Sequence, residues 1–358
     1  MLNPQKFGLS TSPFSLTPDA DVRFWAGLPE SKRALEDVIV SVRNDDVGSS
    51  EFVLLNGAFG AGKSHALRYF AKQARETDGI SIYLEDILAT PKVTFSALAK
   101  RLTDSIGRDA LHKLVRSVKD AIRQSREATN AQQQVEVDDH AIIRRFVAES
   151  DQDTVRHILA HSEIPSLVGR DDYDVVRRLA SVLRLSTSRI GENEPAFQAA
   201  YLFLDEVEAL ADQAAAVQTA FFASLRSLIN ALPDHFALVL SFSMPTGVLE
   251  SYVPPPIWER MTRPTIEIAQ LSVEEATQFV EEYLACVRPD AAYVPPHPFY
   301  PFSQDALLSI FEQETALVPR RILNHLRRVW ERAARHELVM EGEEISREDA
   351  ERILQAVV

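Results

Sequence analysis

The chain has 358 residues, of which a quarter are charged, and its formal net charge of −14 excludes generic electrostatic attraction to nucleic acid as a driving force. Its one cysteine, Cys286, excludes an internal disulfide framework and a cysteine-rich zinc site, and we expect it to be buried on a helix. The first residues lack the apolar stretch of a signal peptide, and no run approaches the ~18 apolar residues of a membrane span, so we expect a cytoplasmic protein with no membrane contact.

Short apolar segments bounded by turns predict five buried β-strands that alternate with helices. The predicted strands are 52–56, 80–84, 201–204, 236–242 and 265–268, and the helices among them include 30–42, 63–74 and 214–232. From 272 onward we predict helices alone, at 272–288, 303–314, 319–336 and 345–357, with a Pro-rich loop at 293–301. Between the second and third strands, residues of about 90–195 are mostly helical, and their polar middle, 125–138, is predicted to be a mobile loop or a solvated helix end.

This order of elements predicts an α/β fold, in which a parallel five-stranded sheet carries helices on both faces and an all-helical domain follows. We expect three parts. Residues 1–50 pack on the core, 51–271 form the α/β core with the long helical insertion at about 90–195, and 272–358 form a helical lid.

The segment after the first strand carries the strongest chemical signal. It fits the pattern G-x-x-x-x-G-K-[ST] between a strand and a helix, which is the setting that a phosphate-binding loop (P-loop) requires. Glycines let backbone amides turn inward as an anion nest, and the helix N-terminus adds a favourable dipole. We therefore predict that the chain binds ATP, with Lys63 at the β- and γ-phosphates and the Ser64 hydroxyl on Mg²⁺. The predicted binding residues are Gly57, Ala58, Phe59, Gly60, Ala61, Gly62, Lys63, Ser64 and His65.

Two carboxylates follow the third strand. Asp205 comes directly after 201–204, at the strand edge where open α/β sheets bind ligands, and it is expected to hold Mg²⁺ through water. Glu206 is predicted to act as the general base that polarises the attacking water. The alternative is that the two acids simply begin a helix.

Polar side chains at three further places extend the predicted site. Ser241 or Ser243, at the tip of the fourth strand, is expected to orient the lytic water, unless these serines only terminate the strand. Arg260, with Arg263 second, is expected to complete a neighbouring subunit's site. Arg320 or Arg321, at the start of a lid helix, is expected to face the γ-phosphate.

Taken together, these motifs resemble those of AAA+ ATPases, and within them the initiator-like branch. That branch includes origin-recognition ATPases, secretion ATPases of the ExeA kind and regulatory ATPases of transposition systems. Residues 7–19, FGLSTSPFSLTPD, resemble the opening of ExeA-like members, and 271–276, LSVEEA, resembles the start of their lid. The pair Ser64-His65 also resembles ATPases of phage-defence systems. The resemblance covers about 1–86 and 199–336.

The resemblance implies an ATPase that assembles with itself into an ATP-dependent ring or filament and recruits a partner protein. The chain departs from the pattern in its long insertion and in lacking the membrane span of secretion ATPases. Eight basic residues between Lys100 and Arg126 favour a local DNA contact, and hence a role in transposition, replication or mobile-element and phage defence. The net charge favours the alternative, an ATP-gated signalling or scaffold switch that acts on a protein effector without nucleic acid.

Overall fold

The computed structural model describes most of the chain, and part of the opening motif, 10–12 and 15–19, lies outside the described residues. The described residues are 4–9, 13–14, 22, 24–43, 49–87, 93–133, 136–288, 293–335 and 343–355.

Five strands form one parallel sheet with the order β2-β3-β4-β1-β5. The strands are β1 (Glu51–Gly57), β2 (Gly79–Leu84), β3 (Ala199–Leu204), β4 (Phe236–Phe242) and β5 (Ile266–Ile268). Every residue of β1, β3 and β4 is buried, and successive side chains of a strand point to opposite faces, so both faces of the sheet are covered. The predicted α/β fold with a parallel five-stranded sheet is confirmed, and the strand boundaries agree with the sequence within two residues.

Helices fill the rest of the described fold. In chain order they are α1 (Pro29–Ser41), α2 (Lys63–Glu76), α3 (Phe95–Ile106), α4 (Arg108–Gln133), α5 (Asp139–Phe146), α6 (Gln152–His161), α7 (Asp172–Thr187), α8 (Ala215–Ala231), α9 (Thr246–Tyr252), α10 (Pro255–Trp258), α11 (Val273–Cys286), α12 (Gln304–Glu312), α13 (Pro319–Arg335) and α14 (Arg347–Gln355). Short 3-10 helices span Pro4–Phe7, Glu149–Asp151 and Val207–Asp212. Among the described residues, no helix is both long and apolar enough to cross a bilayer.

The polar segment 125–138, predicted to be a mobile loop or a solvated helix end, contains the end of α4 at Gln133. It differs from the prediction in that Ser125 and Thr129 are buried rather than solvated. The Thr129 hydroxyl donates to the Ser125 carbonyl at 2.7 Å, which removes the cost of burying it. Cys286, expected to be buried, is exposed at the end of α11.

The chain separates into two compact units. The loop unit consists of 1–33, 56–69 and 267–358, and the sheet unit consists of 34–55 and 70–266. These two units are defined by which residues pack together, whereas the three predicted domains are defined by patterns in the sequence. The predicted domain boundaries therefore stay a prediction.

The loop unit has its own apolar core. Phe7 and Phe14 from the N-terminal segment are buried against aromatic residues of the C-terminal helices. The Phe7 ring meets Trp330 edge-on at 5.2 Å, and the Phe14 ring stacks on Tyr283 at 6.1 Å. The N-terminal segment therefore packs as part of the loop unit. Helix α11 of the same unit begins with a Ser272–Glu275 capping box.

The sheet unit contains the insertion, which is built from α3 to α7. Arg184 of α7 connects this insertion with α8: its guanidinium donates to both carboxylate oxygens of Asp151, at 2.6 and 2.5 Å, and to the carbonyl of Ala231 in α8 at 2.5 Å. Asp151 is 2% exposed. This bidentate ion pair compensates the charge of the buried carboxylate. It also helps to hold the insertion within the sheet unit.

Candidate active site

The loop between β1 and α2 has the backbone geometry that anion binding requires. Gly60 and Gly62 have φ values of +83° and +108°, in the left-handed region that glycine adopts without strain. Lys63 begins α2, so the helix N-terminus, with its backbone amides and positive dipole end, adjoins the loop. Lys63 is 7% exposed, and its Nζ donates to the carbonyls of Gly57 at 2.8 Å and Ala58 at 3.2 Å. Amide donors and one ammonium group are thus concentrated at one short segment.

The first turn of α2 adds two polar side chains. Ser64 is half-buried. His65 Nε2 lies 3.0 Å from the Phe24 carbonyl oxygen, and its ring centroid lies 6.1 Å from that of Trp25. Burial lowers the pKa of His65 and the nearby Arg68 lowers it further, and together they outweigh the hydrogen bond to Phe24, which raises it. A neutral His65 therefore ties the N-terminal segment to α2, and a nucleotide contact for it stays a prediction.

Within the loop unit, helix α13 contacts the same loop through one of the two predicted arginines. The Arg320 amide donates to the Gly60 carbonyl at 3.2 Å, and its guanidinium carbon lies 4.8 Å from the centroid of the Phe59 ring. Arg321 turns away and donates to Glu314 at 2.9 Å. Arg320 therefore lies against the loop between β1 and α2, whereas Arg321 forms an ion pair with Glu314.

The predicted carboxylates lie in the sheet unit, where β3 ends. Asp205 is 1% exposed, and its Oδ1 accepts hydrogen bonds from the Ser241 hydroxyl and from the Glu206 amide at 3.0 Å. Its Oδ2 accepts a hydrogen bond from the Tyr83 hydroxyl at 3.2 Å. Because β3 pairs in parallel with both β2 and β4, the ends of all three strands lie side by side and supply these donors. The donors offset the cost of burying the carboxylate and fix its orientation.

Glu206 occupies a strained turn. Its φ of 54° and ψ of 41° are left-handed, which is uncommon for a residue with a side chain, and a 3-10 helix begins directly after it. Its side chain is exposed. Partial burial raises the pKa of the Glu206 carboxyl, and the negative charges of Asp205, Asp86, Glu208 and Glu85 raise it further. A carboxylate with a raised pKa is a better proton acceptor near neutral pH, as a general base must be.

The two candidate serines have different surroundings. Ser241 is fully buried, and its hydroxyl donates to Asp205. Ser243 follows the end of β4 and is half-buried. Ser241 therefore holds the carboxylate in place, and Ser243 is the serine whose exposure suits contact with a ligand.

The two candidate finger arginines also differ. Arg263 donates to Glu51 at 2.9 Å, and this carboxylate is buried at the start of β1. Arg260 donates to the Asn230 side chain at 3.0 Å and to the Pro256 carbonyl at 2.6 Å, both uncharged acceptors. Arg263 is thus neutralised inside its own unit, which favours Arg260 for a role toward another subunit.

Tyr83 is a site residue that the sequence did not reveal. It lies within β2 in an apolar run, where a tyrosine is ordinary strand composition. Its contact with Asp205 comes from the pairing of β2 with β3 across more than a hundred residues of insertion. No local sequence pattern predicts this contact. The one relevant signal is Asp205 itself, because a carboxylate that ends a strand is expected to have polar partners on the neighbouring strands.

No protein-family model matches this sequence, and no curated protein matches it. Solved structures do match. The ORC1 protein of Aeropyrum pernix, solved in complex with DNA, has a TM-score of 0.54 and 16% identity, covering 98% of this chain and 70% of that chain. The Aeropyrum pernix ORC2 protein, solved as ADPNP-ADP complexes, has a TM-score of 0.54 and 13% identity, covering 94% of this chain and 70% of that chain.

A third similar structure is that of CDC6P from Pyrobaculum aerophilum, with a TM-score of 0.51 and 13% identity, covering 98% of this chain and 72% of that chain. At such identities the likeness shows the fold alone. The chain therefore shares its fold with the ORC1, ORC2 and CDC6P structures, which confirms the predicted resemblance at the level of fold.

The contacts of Glu51 predict a pH dependence of stability. Burial alone raises the pKa of the Glu51 carboxyl, but hydrogen bonds from Arg263, Thr262 and Ser41 outweigh it and hold the pKa below its ordinary value. The stabilisation is therefore full above the unfolded-state pKa of about 4.3, and it is lost as the pH falls through the lower folded-state value. We expect Glu51→Gln to lower the free energy of unfolding by about 1–3 kcal/mol at pH 7. The difference from wild type should shrink between about pH 5 and pH 3.

Urea unfolding at several pH values measures this difference. Glu250→Gln, at an exposed glutamate of the same unit, serves as the matched control and should remain within about 0.5 kcal/mol of wild type throughout. A Glu51→Gln protein as stable as wild type at pH 7, or a deficit that does not change with pH, would contradict the account.

Proposed function

We propose that the protein is an AAA+ ATPase that binds ATP with Mg²⁺ at its phosphate loop and hydrolyses it. The observation that carries this proposal is the loop itself, in which Gly60 and Gly62 are left-handed and Lys63 lies at the start of α2. This arrangement presents amide hydrogens and a lysine to a phosphate chain. The fold shared with ATPases is a second, weaker support.

We further propose that the phosphate loop and the Asp205–Glu206 pair serve one nucleotide. Support comes from the strand order, in which β4 stands between β3 and β1. Strands that run parallel end at the same edge of a sheet, and ligands of such sheets bind at that edge. The loop follows β1 and the carboxylates follow β3.

The residues fit magnesium by their chemistry. Mg²⁺ prefers oxygen ligands and keeps several waters. Asp205 offers two carboxylate oxygens with about four acceptor positions, of which three receive the hydrogen bonds described above. Ser64 offers a hydroxyl. When bound, the ion neutralises charge that develops on the β- and γ-phosphate oxygens.

Each protein group then has a separate task in hydrolysis. The Lys63 ammonium exchanges its bonds to the Gly57 and Ala58 carbonyls for phosphate oxygens. Ser241 and Tyr83 hold Asp205 in one orientation. Glu206 accepts a proton from the attacking water, and its raised pKa means that this activity falls as the carboxyl protonates in acid.

ATP binding and turnover of three variants test the proposal. Lys63→Ala should lose nucleotide binding, because it removes the cation at the phosphates. Glu206→Gln should bind ATP yet hydrolyse it about 10²–10⁴-fold more slowly, because the proton acceptor is gone. Lys72→Ala, at an exposed lysine of the same helix α2, is the matched control and should behave as wild type. Normal binding by Lys63→Ala, or normal turnover by Glu206→Gln, would refute the assigned roles.

We propose that ATP-bound subunits assemble into a ring or filament in which Arg260 acts on the neighbour's ATP. The support is that Arg260 forms no ion pair with any residue in the described part of the chain, so its charge is free to stabilise an incoming anion. A ligand that binds the assembled state more tightly shifts the equilibrium toward it. Assembly should therefore depend on ATP and control recruitment of a partner protein.

Light scattering with a slowly hydrolysed ATP analogue should show oligomers of wild type and of Arg260→Ala. Arg260→Ala should lose about 10³–10⁵-fold in turnover. Mixing it with Glu206→Gln, which retains Arg260, should restore part of the activity, because one subunit supplies the arginine and the other an intact pocket. A monomer under all conditions, or no recovery on mixing, would rule out action between subunits.

DNA association is the second proposal, and a row of basic side chains on α4 supports it. Arg108, His112, Arg116 and Lys119 are all exposed and follow each other at steps of three or four residues, which places them on one helix face. The stretch of helix from the first to the last of them is roughly 17 Å long. Such a row supplies the local positive charge that an acidic protein needs to contact phosphates.

Four residues of the predicted basic stripe have acceptors within the protein. Arg101 donates to the Asp86 carbonyl, and three others pair with aspartates: Lys113 with Asp78, Arg123 with Asp120 at 3.0 Å, and Arg126 with Asp139 at 3.0 Å. Lys100 is exposed outside α4. The DNA proposal therefore rests on the α4 row and not on the whole stripe.

Salt-dependent DNA binding with ATP present distinguishes the two functions. Substituting Arg108, Arg116 and Lys119 by glutamine should weaken binding and reduce the slope of log affinity against log salt by about 2–3. The same substitution at Arg144, Arg177 and Arg226, three exposed arginines elsewhere in the sheet unit, should leave the slope unchanged. Absence of wild-type binding at 50 mM salt would favour the alternative, an ATP-gated switch for a protein effector, which the net charge of −14 supports.

A further inference from the structure

Phe59 is exposed in a way that core packing does not explain. Its side chain is 74% exposed in the middle of the phosphate loop, between the small residues Ala58 and Gly60. A phosphate loop binds through backbone amides and its lysine, so an aromatic ring at this position has no task in phosphate binding itself. An exposed aromatic ring forgoes the free energy that burial would give. Among the described residues, the Phe59 ring makes a cation–π contact instead.

That contact is with Arg320, whose guanidinium lies over the Phe59 ring at 4.8 Å from the centroid. The backbone reinforces it, because the Arg320 amide donates to the Gly60 carbonyl at 3.2 Å. A Cβ added at Gly60 would lie 3.0 Å from the Arg320 Cβ, so the first turn of α13 abuts the loop closely. Side chain and main chain thus hold Arg320 against the loop together.

The neighbouring arginine shows that this direction is selective. Arg321 donates a hydrogen bond to the largely buried Glu314 carboxylate. The other oxygen of this carboxylate lies 2.7 Å from His325 Nε2. One arginine is therefore fixed within the helical part, and only its neighbour is presented to the loop. Both arginines lie in the first turn of the same helix, and they differ in their partners, which are Phe59 for Arg320 and Glu314 for Arg321.

We infer that Phe59 is a positioning residue that aims Arg320 at the terminal phosphate of ATP; the inference rests on the proposed ATP binding. A guanidinium that lies over a ring engages the ring with its face, and its in-plane N–H donors stay available. A γ-phosphate is recognised by those in-plane donors, so the two interactions are compatible. The ring restricts the conformations of the Arg320 side chain before the nucleotide binds. This restriction should increase the affinity for ATP but not that for ADP, because ADP lacks the γ-phosphate.

The ratio of ATP to ADP affinity is the readout, because a merely structural defect in the loop would weaken both nucleotides alike. Phe59→Leu keeps apolar bulk and removes the aromatic face, and it should lower the ratio by about two- to fivefold, the range expected for an exposed cation–π contact. Phe59→Trp should keep the ratio, because the indole ring binds cations best. Tyr173→Leu, at a comparably exposed aromatic residue of the sheet unit, is the control and should not change it.

A double-mutant cycle connects the two side chains. Arg320→Ala should lower the ratio by itself, and adding Phe59→Leu to it should produce no further change, because the ring then has no guanidinium to hold. Independent, additive effects of the two substitutions, or a Phe59→Leu protein with an unchanged ratio, would overturn the inference while ATP binding stands. A wild-type protein that binds neither nucleotide would instead overturn the proposed function, and this inference with it.

Discussion

The concentration of positive charge in the loop from Gly57 to Ser64 is the constraint on which the rest depends. Left-handed glycines turn the amides inward, α2 contributes its positive end, and the Lys63 ammonium is held almost out of water against two carbonyls. Positive charge and amide donors gathered in this way are stabilised by an anion with several oxygens. This arrangement is what the proposed binding of a phosphate chain requires, independently of any catalytic group.

The carboxylate side meets a complementary constraint. Asp205 is buried, and it is kept there by hydroxyls from the strands on both sides, so its orientation is fixed before a metal ion arrives. Glu206, one residue later, is turned outward by its left-handed backbone. Two adjacent acids are thus given different environments, one suited to holding a metal-bound water and the other suited to accepting a proton.

Local sequence was sufficient for the strands, most helices and the phosphate loop, because apolar periodicity and the glycine–lysine spacing are local properties. It was less informative where a polar residue is buried or a small apolar one is exposed. The segment 125–133 is polar and ends α4, but Ser125 and Thr129 in it are buried, and the Thr129 hydroxyl donates to the carbonyl one turn earlier, a contact that composition does not indicate. Cys286 is small and apolar enough to be buried, but it falls on the outer face at the end of α11.

The site shows the same division. Asp205 and Glu206 could be located because they follow an apolar strand, whereas the roles of Ser241, Tyr83 and Arg263 depend on partners 36, 122 and 212 residues away. Strand pairing, not sequence spacing, puts Ser241 rather than Ser243 on the carboxylate. Likewise, the ion pair of Arg263 with Glu51 joins residues far apart in the sequence, and a role for Arg263 toward another subunit stays a prediction.

An experimental structure with Mg²⁺ and a slowly hydrolysed ATP analogue is the most direct test of the central claim, that loop and carboxylates serve one nucleotide. The account predicts that the magnesium ion has the Ser64 hydroxyl as a ligand and reaches Asp205 directly or through one water. It also predicts that Lys63 contacts the β- and γ-phosphates. A nucleotide bound elsewhere, or a magnesium ion remote from Asp205, would contradict it.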